Sequence, residues 1–515
     1  MHRFAPVALA TLLAATAPAH LRAQTPTPFT VPQPTGHFTD PANLSGERVR
    51  PRDGRELPID GGIGANGQPD NALGLAQMLR KLNTRASLMF IVAHPDDEDG
   101  GMLTFYSRGL GARVAILTLN RGEGGQNQMT GDFEDALGLL RTQELLSADR
   151  YMGVDTQMFG TEVDFGFTKT KAEAFSKWDH ERVLYDAVRA VRIFRPLVIA
   201  SSFEGAVTDG HGQHQVSGEI AQEVFKAAGD PNVFPELTKE GILPWQPLKV
   251  YARLPFSPVT EKGLFDYATG QVVPAEFTNY VTGQKFTTEP TADVTINEGA
   301  TDPLLTYASA NAADLSTKPS NPNEELSYVQ FARIGLGLQR SQIGAGMRIP
   351  PAGRSDVSYH LYGSMLKNES SQEKSFFDGI DTSIDGIGSF TIAPFPPLQR
   401  VLRSVSTKIQ LAINNLDPRQ PSKIAPQLAE ALKSVDDAIS AVQEFKLGVP
   451  YAQENVLHEL RIKRVQLNDA LVLALGLTLD ATAPAQDIRA GSSAIVATRF
   501  AESASAPLHD VKEGI

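Results

Sequence analysis

His94, Asp96 and Asp97 stand within four residues of one another in Ala93-His94-Pro95-Asp96-Asp97-Glu98, at the end of the apolar run Ser87–Ala93. An imidazole and a carboxylate three residues apart can converge where a chain turns from strand into helix, and the pair suits zinc or a similar divalent ion. Asp96, between them, points elsewhere and is free to act as a base. On spacing alone, an acidic turn capping a helix N-terminus reads equally well, because carboxylates are favoured there. A second cluster, His211-Gly212-Gln213-His214, follows the apolar run Leu197–Phe203. A lone His-x-x-His is a weak sign of a metal, whereas two strand-to-helix junctions that both carry ligand-type side chains are a much stronger one. Asp209, just ahead, either orients an imidazole or shapes its loop. His180, His360 and His458 show no convergent partners and read as surface or packing residues.

Both clusters need a scaffold that brings them to one edge. Ser87–Ala93, Arg113–Leu119, a short stretch at Gln157–Phe159, Leu197–Phe203 and Lys249–Leu254 read as strands of a covered sheet. Helical patterns separate them: up to Leu110, then Phe133–Tyr151, Trp178–Phe194 and Val216–Ala228. Such alternation requires crossover connections, hence an α/β, Rossmann-like, mainly parallel sheet with flanking helices. In open sheets of this kind, sites form outside the carboxyl ends of strands, where both clusters fall. The Gly-rich loop Asn120–Asn127 lies at the same edge and matches neither a dinucleotide fingerprint nor a P-loop, which argues against NAD and ATP. Residues 256–390 read as a strand-rich elaboration with one clearer helix, Glu324–Leu338. From Pro396, stripes such as Leu398, Val401, Val405 and Ile409 predict a three-helix antiparallel bundle.

Ala-His-Pro-Asp-Asp-Glu after an apolar strand, with His-x-x-His far downstream, resembles the PIG-L/LmbE-like family of zinc-dependent N-acetylglucosaminyl deacetylases. The resemblance spans roughly residues 84–255, and Gln339-Arg340-Ser341-Gln342 is similar to the Ser-Gln element that closes the family core. It implies one Zn2+ per chain, or another divalent ion, held by His94, Asp97 and His214. It implies Asp96 as general base, with a protonated His211 near the developing oxyanion. Asn120, Arg121 and Glu123 of the Gly-rich loop would be sugar contacts. Arg141 and Glu144 match the family's Arg-x-x-Glu helix and read first as a structural pair, second as site residues. The family usually writes His-Pro-Asp-His where this chain has Gly212 and Gln213. The missing carboxylate removes a group that would brace a ligand or tune its charge.

The 515 residues contain no cysteine, which excludes disulfides, thiolate metal sites and a cysteine nucleophile. A net charge of −12 argues against a nucleic-acid partner. His2 and Arg3 before the apolar stretch Pro6–Ala19 read as an export signal, with cleavage after Ala23 or Ala19. The organisation is then a signal peptide (1–23), a Pro/Gly-rich arm (24–70), an LmbE-like domain (71–350) with a β-rich insertion from about 256, a linker or β elaboration (351–395), a helical bundle (396–480) and a strand-like tail (481–515). That tail either packs back on the core or begins a further domain. The expected protein is periplasmic or extracellular, has no integral membrane segment after signal removal, and acts on an N-acetylated sugar or glycan. The competing readings are a metal-dependent amidohydrolase acting on a non-sugar amide, and a carbohydrate-binding protein with a residual metal site.

Overall fold

The computed structural model describes residues 62–63 and 69–502, except 126, 256–258, 261, 267, 308, 311–320, 322, 343, 345–346, 368–371, 391–395, 445–450 and 483–495. The signal, nearly all of the arm and most of the tail therefore lie outside the described residues.

An unbroken apolar hexapeptide forms a strand only where both of its faces are covered. Ser87–Val92 is such a strand, β1, buried along its whole length. With β2 (Arg113–Thr118), β3 (Thr156–Phe159), β4 (Val198–Ser201) and β5 (Lys249–Arg253), it makes a parallel sheet in the order β3-β2-β1-β4-β5. Phe90 pairs with Ile116 on one side and Ala200 on the other. Strand order reverses between β1 and β4, so the crevice of a doubly wound fold opens above their carboxyl ends. Two strands of the region read as an elaboration, β6 (Val294–Asn297) and β7 (Asp356–Ser364), extend this sheet antiparallel beyond β5 in the order β5-β7-β6. Their alternating burial conceals them from a search for continuous apolar runs.

The helices that position the site or form the bundle are α1 (Asn71–Leu82), α2 (Gly100–Thr104), α3 (Glu134–Met152), α4 (His180–Phe194), α5 (Gly212–Ala227), α6 (Tyr328–Leu336), α7 (Pro396–Asn415), α8 (Ala425–Glu444) and α9 (Ala452–Leu475). Asp99 caps α2 by accepting from the Met102 amide, and the chain then continues as a π-turn over Phe105–Gly109. The bundle differs from the expected three helices. Leu75, Met78, Leu79 and Leu82 of α1 join Leu402, Val405, Leu428, Val435, Leu460 and Leu467 in one core. α1, read as the opening of the α/β domain, is thus a fourth bundle helix; an apolar stripe says that a face is buried but not against what. Two buried polar contacts fasten it: Arg85 pairs with Glu459 at 3.0 Å, and the Lys463 ammonium donates to the Lys81 carbonyl at 2.8 Å. The chain continues from α9 into strand Leu477–Thr482, antiparallel to Ala497–Glu502. Among the described residues no helix is long and apolar enough to cross a membrane.

Candidate metal centre

His94 leaves the end of β1 and His214 sits in the first turn of α5, after β4, so the switch point brings them together. Asp97 lies between them. Its two oxygens face His94 Nδ1 at 3.1 Å and His214 Nε2 at 3.2 Å. Each imidazole is held from behind. The His214 Nδ1–H donates to the Asp209 carbonyl at 3.0 Å, and its ring stacks on Phe203 with centroids 4.0 Å apart. His94 Nε2 donates to the amide oxygen of buried Gln213, whose Nε2 donates to Asp164 Oδ1 at 3.1 Å. Because Asp164 Oδ1 also accepts from the Gly166 amide, that carboxylate orients the Gln213 amide and through it the ring. These contacts turn one nitrogen of each imidazole toward Asp97, as metal-ligating histidines require.

One ligand atom from each of His94, Asp97 and His214 lies within 4.8 Å of the others. Two imidazoles and a carboxylate with positions left open are the donor set of a catalytic zinc site, so the residues fit such an ion. Burial opposes charge on His94, but Asp97 outweighs it by charge and hydrogen bond and lifts the ring to about 9. Burial also works to raise Asp97, and the His214 and His94 imidazoles overcome it, holding the carboxyl well below its usual range. Metal uptake would therefore displace a proton from His94.

Asp96 turns away from this cluster with φ of 103°, a backbone conformation uncommon outside glycine. Its Oδ1 meets the Arg141 guanidinium at 3.0 Å, and burial, partly offset by that cation, raises it to about 6. Arg141 also donates to the Pro95 and Gly122 carbonyls, clamping the His94 turn to the Gly-rich loop. Gly122, at φ of 71°, packs so closely on that guanidinium that a side chain there would collide with it. Glu98, pushed up to about 8 by burial, accepts from the Asp96 amide and from Gln339.

Several expectations change. Arg141 and Glu144 do not pair: Glu144 instead accepts from the Ser341 amide and hydroxyl, which ties down the Ser-Gln element. Asn120, Arg121 and Glu123 serve their own loop rather than line the cleft. The Asn120 side chain accepts from the Gly122 amide, and Glu123 takes the Arg121 guanidinium at 2.9 Å and the Asp164 amide. His211 caps α5; burial first, then the His94 and His214 charges, push it down to about 3. The backbone amides of Gln213 and Thr168 face its two nitrogens, so a protonated His211 does not fit this setting. Asp209 orients His214 through its carbonyl, while its carboxylate accepts from the amides of Glu204, Gly205 and Ala206. His180 meets Glu223 at 2.8 Å and Glu219 at 3.9 Å, a cluster already balanced by Lys171 on Glu219. His360 pairs with Asp293 at 2.7 Å, and His458, half-buried on α9, faces Arg113 and the Phe194–Arg195 segment of the α/β core.

Above the cluster lies a cleft of about 630 Å³. Asp96, Asp97, His211 and His214 form its floor, and Val329, Ala332, Arg333 and Leu336 of α6 line it together with Met347. Sequence reasoning missed this α6 wall, because nothing local links residues 329–336 to an edge some 230 residues earlier. A doubly wound sheet with two imidazoles and a carboxylate at its switch point defines an α/β protein with a candidate divalent-metal centre. The profile of the PIG-L family, described as GlcNAc-PI de-N-acetylase, matches residues 89–225. The 1D-myo-inositol 2-acetamido-2-deoxy-alpha-D-glucopyranoside deacetylase of Streptomyces avermitilis is 32% identical over 193 residues, 34% of this chain and 64% of the relative. The enzyme of the same name from Kineococcus radiotolerans is 30% identical over 262 residues, 46% of this chain and 70% of the relative. Among solved structures, the N,N'-diacetylchitobiose deacetylase of Pyrococcus horikoshii aligns with a TM-score of 0.28 at 17% identity, over 35% of this chain and 62% of that one. The chain belongs to the PIG-L family.

Proposed function

We propose that this protein is an exported, zinc-dependent N-deacetylase that removes the acetyl group from an N-acetylglucosamine-type sugar or glycoconjugate. The observation that carries the reading is the gathering of His94, Asp97 and His214 about one point, with Asp96 beside them on the same cleft. Relatives named as deacetylases of an acetamido sugar linked to inositol support the choice of bond and sugar. A zinc ion held by these three residues would acidify a water molecule and polarise the acyl carbonyl. Asp96 takes the proton of the attacking water and returns it to the leaving amine. Arg141 keeps the Asp96 carboxylate directed away from the three ligands. Neutral His211 walls the cleft, edge-on to Phe167 at 5.1 Å. The apolar side chains of α6 and Met347 limit water on the far side. Export to the periplasm or cell exterior rests on the apolar stretch Pro6–Ala19 behind His2 and Arg3.

The test is metal analysis of the purified mature protein, together with acetate release from N-acetylated sugars and from non-sugar N-acetyl amides. About one zinc per chain and acetate from the sugars is the expected result. Release from the non-sugar amides alone would move the substrate to another class. A metal-free protein that releases nothing would remove the enzymatic reading.

A further inference from the structure

The carboxyl groups around the cleft are mostly satisfied by their own surroundings. Asp97 lies between two imidazoles, Asp96 meets Arg141, Asp99 has Arg253 at 3.5 Å and Tyr359 at 2.6 Å, and Asp209 accepts three backbone amides. Arg333 stands apart. It comes from the facing wall, where Val329, Ala332, Arg333 and Leu336 follow the i, i+3, i+4, i+7 spacing of one helix face. Its flanking positions pack against the start of α2, since a side-chain carbon at Gly100 would fall 3.0–3.1 Å from Leu336 and Ala332. The wall is thus anchored three residues from Asp97. The half-buried Arg333 guanidinium donates to the Met347 sulfur at 2.7 Å, and among the described residues no carboxylate lies within 4.0 Å of it.

A guanidinium offers five donors in a rigid fork that matches carboxylate and phosphate geometry, whereas a thioether is a weak acceptor on a flexible side chain. On an otherwise apolar helix face, such a cation gives the cleft a means of selecting charge. We infer that Arg333 is an anion-recognition site of the cleft, and that the substrate is an acidic N-acetylated sugar whose carboxylate or phosphate pairs with this guanidinium. The inference rests on the deacetylase reading of the same cleft. Met347 would move aside as the anion takes the donors it now occupies.

Calorimetric titration tests the binding apart from any turnover. N-acetylmuramic acid, N-acetylglucosamine 6-phosphate and neutral N-acetylglucosamine are each titrated into the zinc-loaded protein and into Arg333→Met, which keeps an unbranched stem without the charge. At least one acidic sugar should bind the wild type more tightly than the neutral sugar does, and which one identifies carboxylate or phosphate. Arg333→Met should lower that preference roughly ten- to hundredfold, the range for hydrogen bonds to a charged group, and Arg333→Lys should restore part of it. Equal affinities for acidic and neutral sugars in the wild type, or an unchanged preference in Arg333→Met, overturn the assignment. In turnover, the ratio of kcat/KM for the acidic and neutral sugars should fall by the same factor, whereas a merely structural loss would lower both values together. Anion-selective binding without acetate release would leave Arg333 assigned and sink the deacetylase reading instead.

Discussion

Replacing Gln213 with a carboxylate of equal length tests the contacts that hold His94. Gln213 is buried, accepts from His94 Nε2 and donates to Asp164 Oδ1 at 3.1 Å. In Gln213→Glu the donor disappears and a second carboxylate faces Asp164. At that separation and an effective dielectric of ~20, the repulsion is about 5 kcal/mol. The new carboxyl can escape by taking up a proton and donating to Asp164, so the cost of protonation bounds the loss. Its folded pKa then lies above the unfolded value of ~4.3, so the penalty is small near that value and grows as pH rises. At about 1.36 kcal/mol per unit, it amounts to roughly 1 kcal/mol at pH ~5 and roughly 4 kcal/mol at pH ~7.5. Adding Asp164→Asn restores a donor opposite the carboxylate and should recover most of the loss at the higher pH. Urea unfolding of the metal-free proteins at both pH values reads the stabilities, and competition with a chelator reads zinc affinity, which should fall about 10–100-fold in the single variant. A Gln213→Glu protein as stable as wild type at the higher pH, or a double variant no better than the single, would refute this account of the His94 support.

Asp96→Asn should retain zinc while turnover falls roughly 10²–10⁴-fold, since asparagine also tolerates the positive φ there; Asp97→Asn should lose metal first and regain part of its activity in excess zinc. Zinc per chain and turnover with added zinc, measured on both variants, check this, and metal loss in Asp96→Asn would reverse the two roles. His458 is held well below its ordinary 6.5 by burial and then by Arg113 and Arg195, so its contribution to stability is complete above that value and declines on acidification, by at most about 1.4 kcal/mol per unit. Melting temperature followed from neutral to mildly acidic pH should fall less steeply in His458→Leu, and parallel curves would exclude the ring as the source. Arg85→Met strands the buried Glu459 carboxylate and should cost about 3–5 kcal/mol by urea unfolding, with a loss below ~1 kcal/mol showing that the pair contributes little.

The strand-to-helix junctions were readable because each is local. An apolar run ends, ligand-type residues follow, and a parallel sheet brings all such ends to one edge. The four residues His94, Asp96, Asp97 and His214 do meet at that edge: Asp96, Asp97 and His214 line one cleft, and buried His94 stands behind Asp97. What escaped depends on partners distant in sequence. The missing carboxylate of the second histidine motif is offset by Asp164, one hydrogen bond farther out, and no spacing rule connects residue 164 to residue 213. Asn120, Arg121 and Glu123 have the chemistry of sugar contacts, yet a Gly-rich loop must also satisfy its own amides, and here Asn120 and Glu123 accept from them while the Arg121 guanidinium donates to Glu123 and Asp135. Nor could the stripe on α1 reveal that it faces a bundle formed by residues beyond 396.

That last contact constrains the order in which the chain can fold. Lys463 and the Lys81 carbonyl that it meets are 382 residues apart. At synthesis rates of about 5–20 residues per second, roughly 20–80 s separate the appearance of the two. For most of that interval, until the segments leading into α7 emerge, Leu75, Met78, Leu79 and Leu82 have none of their bundle partners, although β1, only five residues farther along, can already pair within the sheet. The α/β core therefore forms with an uncovered apolar helix at its margin, and α7, α8 and α9 cover that helix only once they have emerged.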